Sequence, residues 1–180
     1  MTFKSTVLIL PGLGNSGEGH WQTRWEKQFP EFIRVHQRDW NTPTCEDWIT
    51  VLDKEVLRHH LRNVILVGHS LACATIAFWS RNFERKIKGA LLVAPSDTEA
   101  QTYPMGTKGF SPMPLNKIPC PTITVASTND YYVTLDRAKF FASAWGSRLE
   151  VIGDAGHVNV ASGFGEWNEG LSWLKMLDEN

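Results

Sequence analysis

Short apolar runs alternate with amphipathic stretches along this chain, at the lengths expected of strands and helices. Residues 64–67 form an unbroken run of apolar side chains, which is typical of a parallel strand buried on both faces. Similar runs occupy residues 7–10 and 90–93, further strands are predicted at 122–125 and 149–152, and a weaker strand is predicted at 33–36. Helical patterns separate the runs. The alternation predicts an α/β fold with a doubly wound, six-stranded parallel sheet.

The segments between the strands carry helix signals. Trp21 and Trp25 are four residues apart, so they share one face of a helix over residues 20–29. Thr44 and Asp47 resemble a capping box at the start of the next helix. Residues 71–79 are apolar on nearly every side, which predicts a buried helix. Further helices are predicted over residues 135–145, which Gly146 ends, and around residues 167–174.

Length and composition indicate one soluble domain spanning residues 1–180. Of the 180 residues, 42% are hydrophobic and 21% charged, and the formal net charge is −1. Lys and Arg are not clustered, so no nucleic-acid partner is expected. No apolar run approaches the ~20 residues of a membrane helix, and the start of the chain does not resemble a signal peptide. Cys45, Cys73 and Cys120 are widely spaced, which predicts neither disulfides nor a metal site and favours a cytoplasmic location.

A sharp turn is predicted where the central strand meets the buried helix. The residues there are Gly68-His69-Ser70-Leu71-Ala72, close to the Gly-x-Ser-x-Gly pattern of the nucleophile elbow in α/β-hydrolases. Small residues flank the serine because larger side chains would collide with neighbouring backbone. Ala72 replaces the second glycine and is still small. The strand–turn–helix placement makes Ser70 a candidate nucleophile rather than a residue that only caps the helix.

An acid and a base follow the last two predicted strands. Ser70, Asp130 and His157 appear in the chain order of α/β-hydrolases, each just past a strand. The carboxyl ends of parallel strands share one edge of the sheet, so the three side chains can meet there. The imidazole would take the serine proton, and the carboxylate would fix the imidazole tautomer and stabilise its charged form.

Other carboxylates compete with Asp130 for the role of the acid. Asp97 follows the fourth predicted strand and could also reach a histidine, whereas Asp154 is expected to point away from the turn. Asp53 and Asp136 lie within predicted helices and are expected on solvated faces. Asp130 is preferred because it alone follows the strand next to that of the histidine.

The loop after the first strand, Pro11-Gly12-Leu13-Gly14-Asn15-Ser16, is rich in glycine. In this fold that loop and the residue after the nucleophile donate backbone N–H groups to the oxyanion, which assigns the donors to Leu13 and Leu71. The loop has no phosphate-binding pattern, and no cofactor is expected. For His20, a role at the start of the helix is an equal alternative to one in the pocket. The candidate pocket residues are Gly12, Asn15, His20, Trp21 and His69.

The segment between the fourth and fifth strands, residues 95–119, is where a lid would be inserted. It contains helix-breaking Pro and Gly residues, and its few apolar side chains show no sustained helical period. A long loop is therefore expected instead of a large cap domain. It would either form a shallow pocket wall or flap, or only cover the sheet edge. Little apolar area then remains for a long acyl chain, so short acyl groups are expected.

Taken together, these motifs resemble the retinoblastoma-binding protein 9 family of serine hydrolases. The resemblance implies a compact six-stranded core without a large cap, and Ser70, Asp130 and His157 as the triad. That family's pocket-protein-binding motif is not matched, because Leu71-Ala72-Cys73-Ala74-Thr75 lacks its glutamate. The resemblance rests on Pro11-Gly12 with Ser16, His20-Trp21-Gln22, Trp25-Glu26, Gly68-His69-Ser70-Leu71, Asp130 and Gly156-His157-Val158-Asn159.

The sequence thus predicts a serine hydrolase that cleaves small carboxylic esters, or amides, through an acyl-enzyme on Ser70. Transfer of the acyl group to another alcohol stays open, because it shares that intermediate. The alternative is a binding module on the same fold, with little activity, that uses surface tryptophans to hold a protein partner. The partner expected is a small-molecule substrate, with neither nucleic acid nor membrane.

Overall fold

Six parallel strands form one sheet in the computed structural model, which describes residues 1–180. The strand order is β2-β1-β3-β4-β5-β6. The chain therefore places β2 on one side of β1, and then crosses back to place β3 to β6 in succession on the other side. The predicted six-stranded parallel sheet is confirmed. The strands are β1 (Thr6–Leu10), β2 (Phe32–Arg34), β3 (Val64–His69), β4 (Gly89–Val93), β5 (Thr122–Ala126) and β6 (Arg148–Val151).

Five helices cover the two faces of the sheet. Helices α1 and α5 pack on one face, and α2, α3 and α4 pack on the other. Alternate residues of each strand serve the two sides: Leu66 of β3 contributes to one core, and Ile65 and Val67 contribute to the other. The helices are α1 (Trp21–Gln28), α2 (Cys45–Val56), α3 (Leu71–Phe83), α4 (Leu135–Trp145) and α5 (Asn168–Glu179). No helix has both the length and the apolarity required to cross a bilayer.

The predicted helix signals are found where expected. Thr44 Oγ1 accepts a hydrogen bond from the Asp47 backbone N–H at 3.3 Å at the start of α2. Gly146 ends α4 with φ at +67°, in the left-handed region that glycine adopts without strain. Helix α3 is longer than predicted because it continues past residue 79 to Phe83.

One helix residue is not where it was expected. Asp53 is buried against α3 instead of lying on a solvated face. Its carboxylate accepts a hydrogen bond from the Trp79 indole N–H at 3.0 Å and pairs with the Arg85 guanidinium at 2.9 Å. These partners offset the cost of burying the charge.

Almost all of the tryptophans lie inside the protein. Seven of the eight are buried, and the eighth, Trp40, packs its ring against Trp48 at a centroid distance of 5.6 Å. A binding role for surface tryptophans therefore has no support in the fold. The buried ones are Trp21, Trp25, Trp48, Trp79, Trp145, Trp167 and Trp173.

The segment between β4 and β5 contains neither a helix nor a strand, apart from an isolated bridge between Lys108 and Thr44. Phe110 and Met113 are buried in the core beside α2 and α3. Tyr103 and Pro104 instead line a pocket at the carboxyl edge of the sheet. One segment thus both covers the core and forms a pocket wall.

Candidate active site

Ser70 occupies a strained turn between β3 and α3. Its φ of 59° and ψ of −123° lie outside the regions that a non-glycine residue normally adopts. The turn is held by a hydrogen bond from the Ser70 backbone N–H to the Val93 carbonyl at 3.0 Å. The side chain does not cap α3, because Ser70 Oγ instead contacts Ser96 Oγ at 2.8 Å. The turn therefore presents the hydroxyl at the edge of the sheet.

The small residues around this turn are required by its packing. A Cβ on Gly68 would lie 2.7 Å from Ile76 Cδ1 and 3.2 Å from the carbonyl carbon of Ala72. A side chain at position 68 would therefore require the end of the Ile76 side chain to move and the α3 backbone at Ala72 to shift by a few tenths of an ångström. Ala72 is itself buried in the core, and its methyl group is accommodated there.

His157 is hydrogen-bonded to Asp130 near Ser70. His157 Nδ1 lies 2.8 Å from one carboxylate oxygen of Asp130 and 3.0 Å from the other. The Asp130 side chain is fully buried, and that of His157 is 9% exposed. Since a carboxylate only accepts, His157 Nδ1 carries the proton, which leaves Nε2 as the basic nitrogen.

The loops that carry these two residues are tied together. Ser127 Oγ, at the end of β5, donates to the Gly153 carbonyl at 3.1 Å, beyond β6. Asn129 Oδ1 accepts from the Gly156 backbone N–H at 2.7 Å. These bonds join the residues just before Asp130 to those just before His157, and so maintain the distance between the two side chains.

The glycine-rich loop after β1 lies directly against the Ser70 turn. A Cβ on Gly12 would approach the His69 carbonyl oxygen and Ser70 Cβ at 2.8 Å each. Neither the Leu13 nor the Leu71 backbone N–H has a hydrogen-bond acceptor within the protein. These two groups are the predicted oxyanion donors, and no hydrogen bond within the protein competes for them.

A pocket of about 320 Å³ opens over these residues. It lies beyond the carboxyl ends of β1 and β3, where the strand order reverses, as ligand sites do in open α/β sheets. The pocket is bounded by the loop after β1, the Ser70 turn, the β4–β5 segment and the residues around His157. Four of the five predicted pocket residues line it, namely Gly12, Asn15, His20 and His69.

Comparison with protein families matches residues 7–176 to the serine hydrolase model. The chain belongs to the serine hydrolase family. A comparison with curated proteins gave no match.

Solved structures share the fold of this serine hydrolase. A YdeN-like hydrolase from Pectobacterium atrosepticum is 33% identical, with a TM-score of 0.84 over 97% of this chain and 90% of that chain. The ydeN gene product of B. subtilis is 19% identical, with a TM-score of 0.83 over 98% and 100% of the two chains. A thermophilic esterase from Thermogutta terrifontis is 15% identical, with a TM-score of 0.70 over 99% and 92%. At these last two identities the likeness concerns the fold alone.

Trp21 is not a pocket residue of the hydrolase, contrary to expectation. It is fully buried on the inner face of α1, and its indole N–H donates to the Val158 carbonyl at 2.8 Å. Its ring packs against Trp25 and Trp167 in the core between α1 and α5. The same periodicity that placed Trp21 and Trp25 on one helix face directs both toward the sheet.

The competing acids of the hydrolase have other partners. Asp97 forms two hydrogen bonds with the Arg137 guanidinium, at 2.7 and 3.1 Å. Asp154 accepts from the Thr128 hydroxyl on the exposed side of the β6 loop. Asp136 is exposed on α4. Of these carboxylates, only that of Asp130 is hydrogen-bonded to the His157 ring.

Two further histidines of the hydrolase, His20 and His69, line the same pocket as His157. His69 Nε2 donates to the His157 backbone carbonyl at 2.8 Å, and its ring lies 4.9 Å from those of His157 and His20. Burial lowers the pKa of His69 well below its ordinary range, and the nearby His157 and His20 lower it further. A neutral His69 thus supports the His157 loop without adding charge.

Sequence reasoning missed two residues at this site. Ser96 contacts the Ser70 hydroxyl, and the Tyr132 ring lies 4.6 Å from that of His157. Both line the pocket. Their positions after β4 and β5 were the only available signal, because neither belongs to a recognisable motif. No group of three or more His, Cys, Asp or Glu side chains is arranged to hold a metal ion.

Proposed function

We propose that this serine hydrolase cleaves small carboxylic esters through an acyl-enzyme on Ser70, with His157 as general base and Asp130 as the acid that orients it. The observation that carries the proposal is the contact of His157 Nδ1 with both oxygens of a buried Asp130, at the same pocket as Ser70. We also propose that the chain is related to the retinoblastoma-binding protein 9 branch of the family. The motif around His157 supports this relationship.

The first half of the reaction forms the acyl-enzyme. On substrate binding, Ser70 Oγ leaves Ser96 and turns toward His157 Nε2, a rearrangement that involves one side-chain torsion. Oγ attacks the carbonyl carbon while Nε2 takes its proton, and the Leu13 and Leu71 N–H groups bind the oxyanion. The imidazolium, stabilised by Asp130, then protonates the departing alkoxide, and the C–O bond to the alcohol breaks.

The second half releases the acid. His157 removes a proton from water, the hydroxide attacks the acyl carbon, and the Ser70–acyl bond breaks as the proton returns to Ser70. An amide would pass through the same acyl-enzyme, and another alcohol could replace water. The ester reaction is favoured because an alkoxide is a better leaving group than an amine anion.

The test compares two serines of the same pocket. Ser70→Ala should abolish labelling by a fluorophosphonate probe and lower the hydrolysis of p-nitrophenyl acetate by roughly 10³-fold or more, because triad residues act as a unit. Ser96→Ala is the matched control, since it removes a neighbouring hydroxyl but leaves the nucleophile, and it should retain labelling. Labelling that survives in Ser70→Ala but is lost in Ser96→Ala would show that the nucleophile is assigned to the wrong serine.

A further inference from the structure

His20 is a buried pocket residue that the proposed reaction does not use. It lies immediately before α1 and lines the same pocket as Ser70. Its side chain is packed between two rings, with centroid distances of 5.2 Å to Trp21 and 4.9 Å to His69. The residue is 6% exposed. Its ring position is therefore well defined, and the state of its two nitrogens can be derived from their partners.

The two ring nitrogens of His20 have different surroundings. Nδ1 accepts a hydrogen bond from the Gln22 backbone N–H at 3.2 Å and so caps α1. A nitrogen that accepts from an N–H carries no proton, so the proton of the neutral ring is on Nε2. Nε2 is buried and has no hydrogen-bond partner within the protein.

His20 remains neutral at ordinary pH. Burial lowers its pKa to about 4, and the charges of Arg34 and His157 act in the same direction. The cap is also rigid, because the Gln22 side chain that follows donates to the carbonyls of Leu10 and Val67 at 3.0 and 3.3 Å. The pocket wall thus includes a fixed, uncharged imidazole whose one N–H has no acceptor. A buried donor without an acceptor is costly, and a bound ligand is one way to satisfy it.

We infer that His20 Nε2–H determines specificity by donating a hydrogen bond to an uncharged oxygen of the substrate other than the reacting carbonyl. Such an oxygen would belong to an ether, hydroxyl or second carbonyl group in the acyl or alcohol part. A carboxylate fits less well, because it would favour the charged imidazole that burial opposes. The inference rests on the proposed ester hydrolysis and narrows its substrate class to oxygen-bearing esters.

The experiment measures a preference rather than an absolute rate. Kinetic constants kcat/KM are determined for p-nitrophenyl methoxyacetate and p-nitrophenyl butyrate, whose acyl chains have equal length and differ by an ether oxygen in place of a methylene. A second pair, 2-methoxyethyl acetate and butyl acetate, places the oxygen in the alcohol part. The ratio within each pair is compared between wild type and His20 variants, so differences in intrinsic ester reactivity cancel.

The variants separate the donor from the cap. His20→Asn and His20→Ser both preserve a side chain that caps helices well, but neither reaches the position of Nε2. The ether-to-alkyl ratio should fall about fivefold to tenfold in at least one pair, the size expected for one neutral hydrogen bond. Val160→Ala is the matched control, because Val160 lines the pocket without a donor, and it should change the ratio by less than about twofold.

The outcomes distinguish this inference from the proposed function. Equal ratios in wild type and both His20 variants, in both pairs, would overturn the inference, as would an equal loss of rate for the ether and alkyl esters. If Ser70 is labelled by a fluorophosphonate but no ester is turned over, the labelling rates of probes with butyl and 2-methoxyethyl chains provide the same comparison. Failure of the Ser70→Ala test overturns the proposed function instead, whatever the ratios are.

Discussion

Ser70 is a strained residue, and Asn15 and Val158 near the same pocket also have positive φ. A positive φ at a non-glycine residue costs of the order of 1–3 kcal/mol and persists only where the surroundings enforce it. Here the hydrogen bond to Val93 and the close packing of Gly68 and Gly12 enforce it. The strained turn is the physical reason that the Ser70 side chain extends from the end of β3 instead of lying in the strand ladder.

Gly12 should be intolerant of any side chain. Replacement by Ala would bring a methyl group within 2.8 Å of the His69 carbonyl and Ser70 Cβ. We therefore expect Gly12→Ala to displace the turn and lower kcat/KM by at least about 100-fold, since an ångström of misplacement has that effect. Gly17→Ala is the control, because Gly17 lines the same pocket and a Cβ there meets nothing within 4 Å. Comparable losses in the two variants would contradict the packing argument.

Substitution of Asp130 should affect the reaction rate, whereas substitution of Asp97 should affect the stability of the fold. Asp130→Asn should lower kcat by about 10³–10⁴-fold with the fold intact, because the amide favours the wrong imidazole tautomer. Asp97→Asn should instead lower the free energy of unfolding by about 1–3 kcal/mol, because it weakens a partly buried pair with Arg137, and should keep kcat within about tenfold. Urea unfolding and kcat measured on both variants check this. A catalytic collapse in Asp97→Asn alone would reverse the assignment.

At the scale of elements, the carboxyl edge of the sheet assembles the site from four loops. The loops after β5 and β6 are bonded to each other through Ser127 and Asn129, and the loop after β1 packs on the Ser70 turn. The β4–β5 segment divides its apolar residues between different environments: Phe110 is buried in the core, Tyr103 lines the pocket, and Met105 is 97% exposed. The β4–β5 segment therefore contributes one modest wall of the pocket and no covering domain.

This wall predicts a preference for short acyl groups. A pocket of about 320 Å³ leaves little buried surface for additional methylenes, and each methylene contributes only ~0.8 kcal/mol even when fully buried. We expect kcat/KM on p-nitrophenyl esters to be highest for acetyl to butyryl chains and not to rise at lipid interfaces. The measurement is a series of acyl lengths on one leaving group. A steady increase up to the palmitoyl ester would reveal a long-chain site that the β4–β5 segment does not provide.

At the scale of the whole molecule, buried histidines should make the fold sensitive to acid. The pKa of His20 is lowered to about 4 and that of His69 is also lowered, both chiefly by burial. Unfolded histidines titrate near 6.5, so below that pH the unfolded chain binds protons that the folded chain does not. The free energy of unfolding is therefore unaffected by these histidines above pH 6.5 and decreases as the pH falls below it. For His20 the decrease is complete near pH 4.

The expected contribution of His20 to this loss is about 3 kcal/mol between pH 6.5 and 4. Urea unfolding at several pH values should show a smaller loss for His20→Asn than for wild type. His36→Asn is the matched control, because His36 is exposed, and its curve should parallel that of wild type. An unchanged pH dependence in His20→Asn would show that His20 is not held neutral in the fold.

The order of elements and the nature of the site were both readable from the sequence. Apolar runs and helical spacing reflect local backbone geometry, so they predicted all six strands with end shifts of one or two residues. The proximity of Ser70, Asp130 and His157 could be predicted because each lies in the segment that follows a strand, and the carboxyl ends of parallel strands share an edge. Gly12 and Leu13 could be placed for the same reason.

Contacts between residues distant in the chain were decided only by the tertiary structure. Trp21 and His20 are adjacent in sequence, yet one is directed into the core and the other lines the pocket, because consecutive residues at the start of a helix face different directions. The burial of Asp53 depended on Arg85, and the contact of Ser96 with Ser70 depended on the packing of β3 beside β4. Periodicity specifies which residues share a face, whereas the partner of each side chain depends on which elements pack against that face.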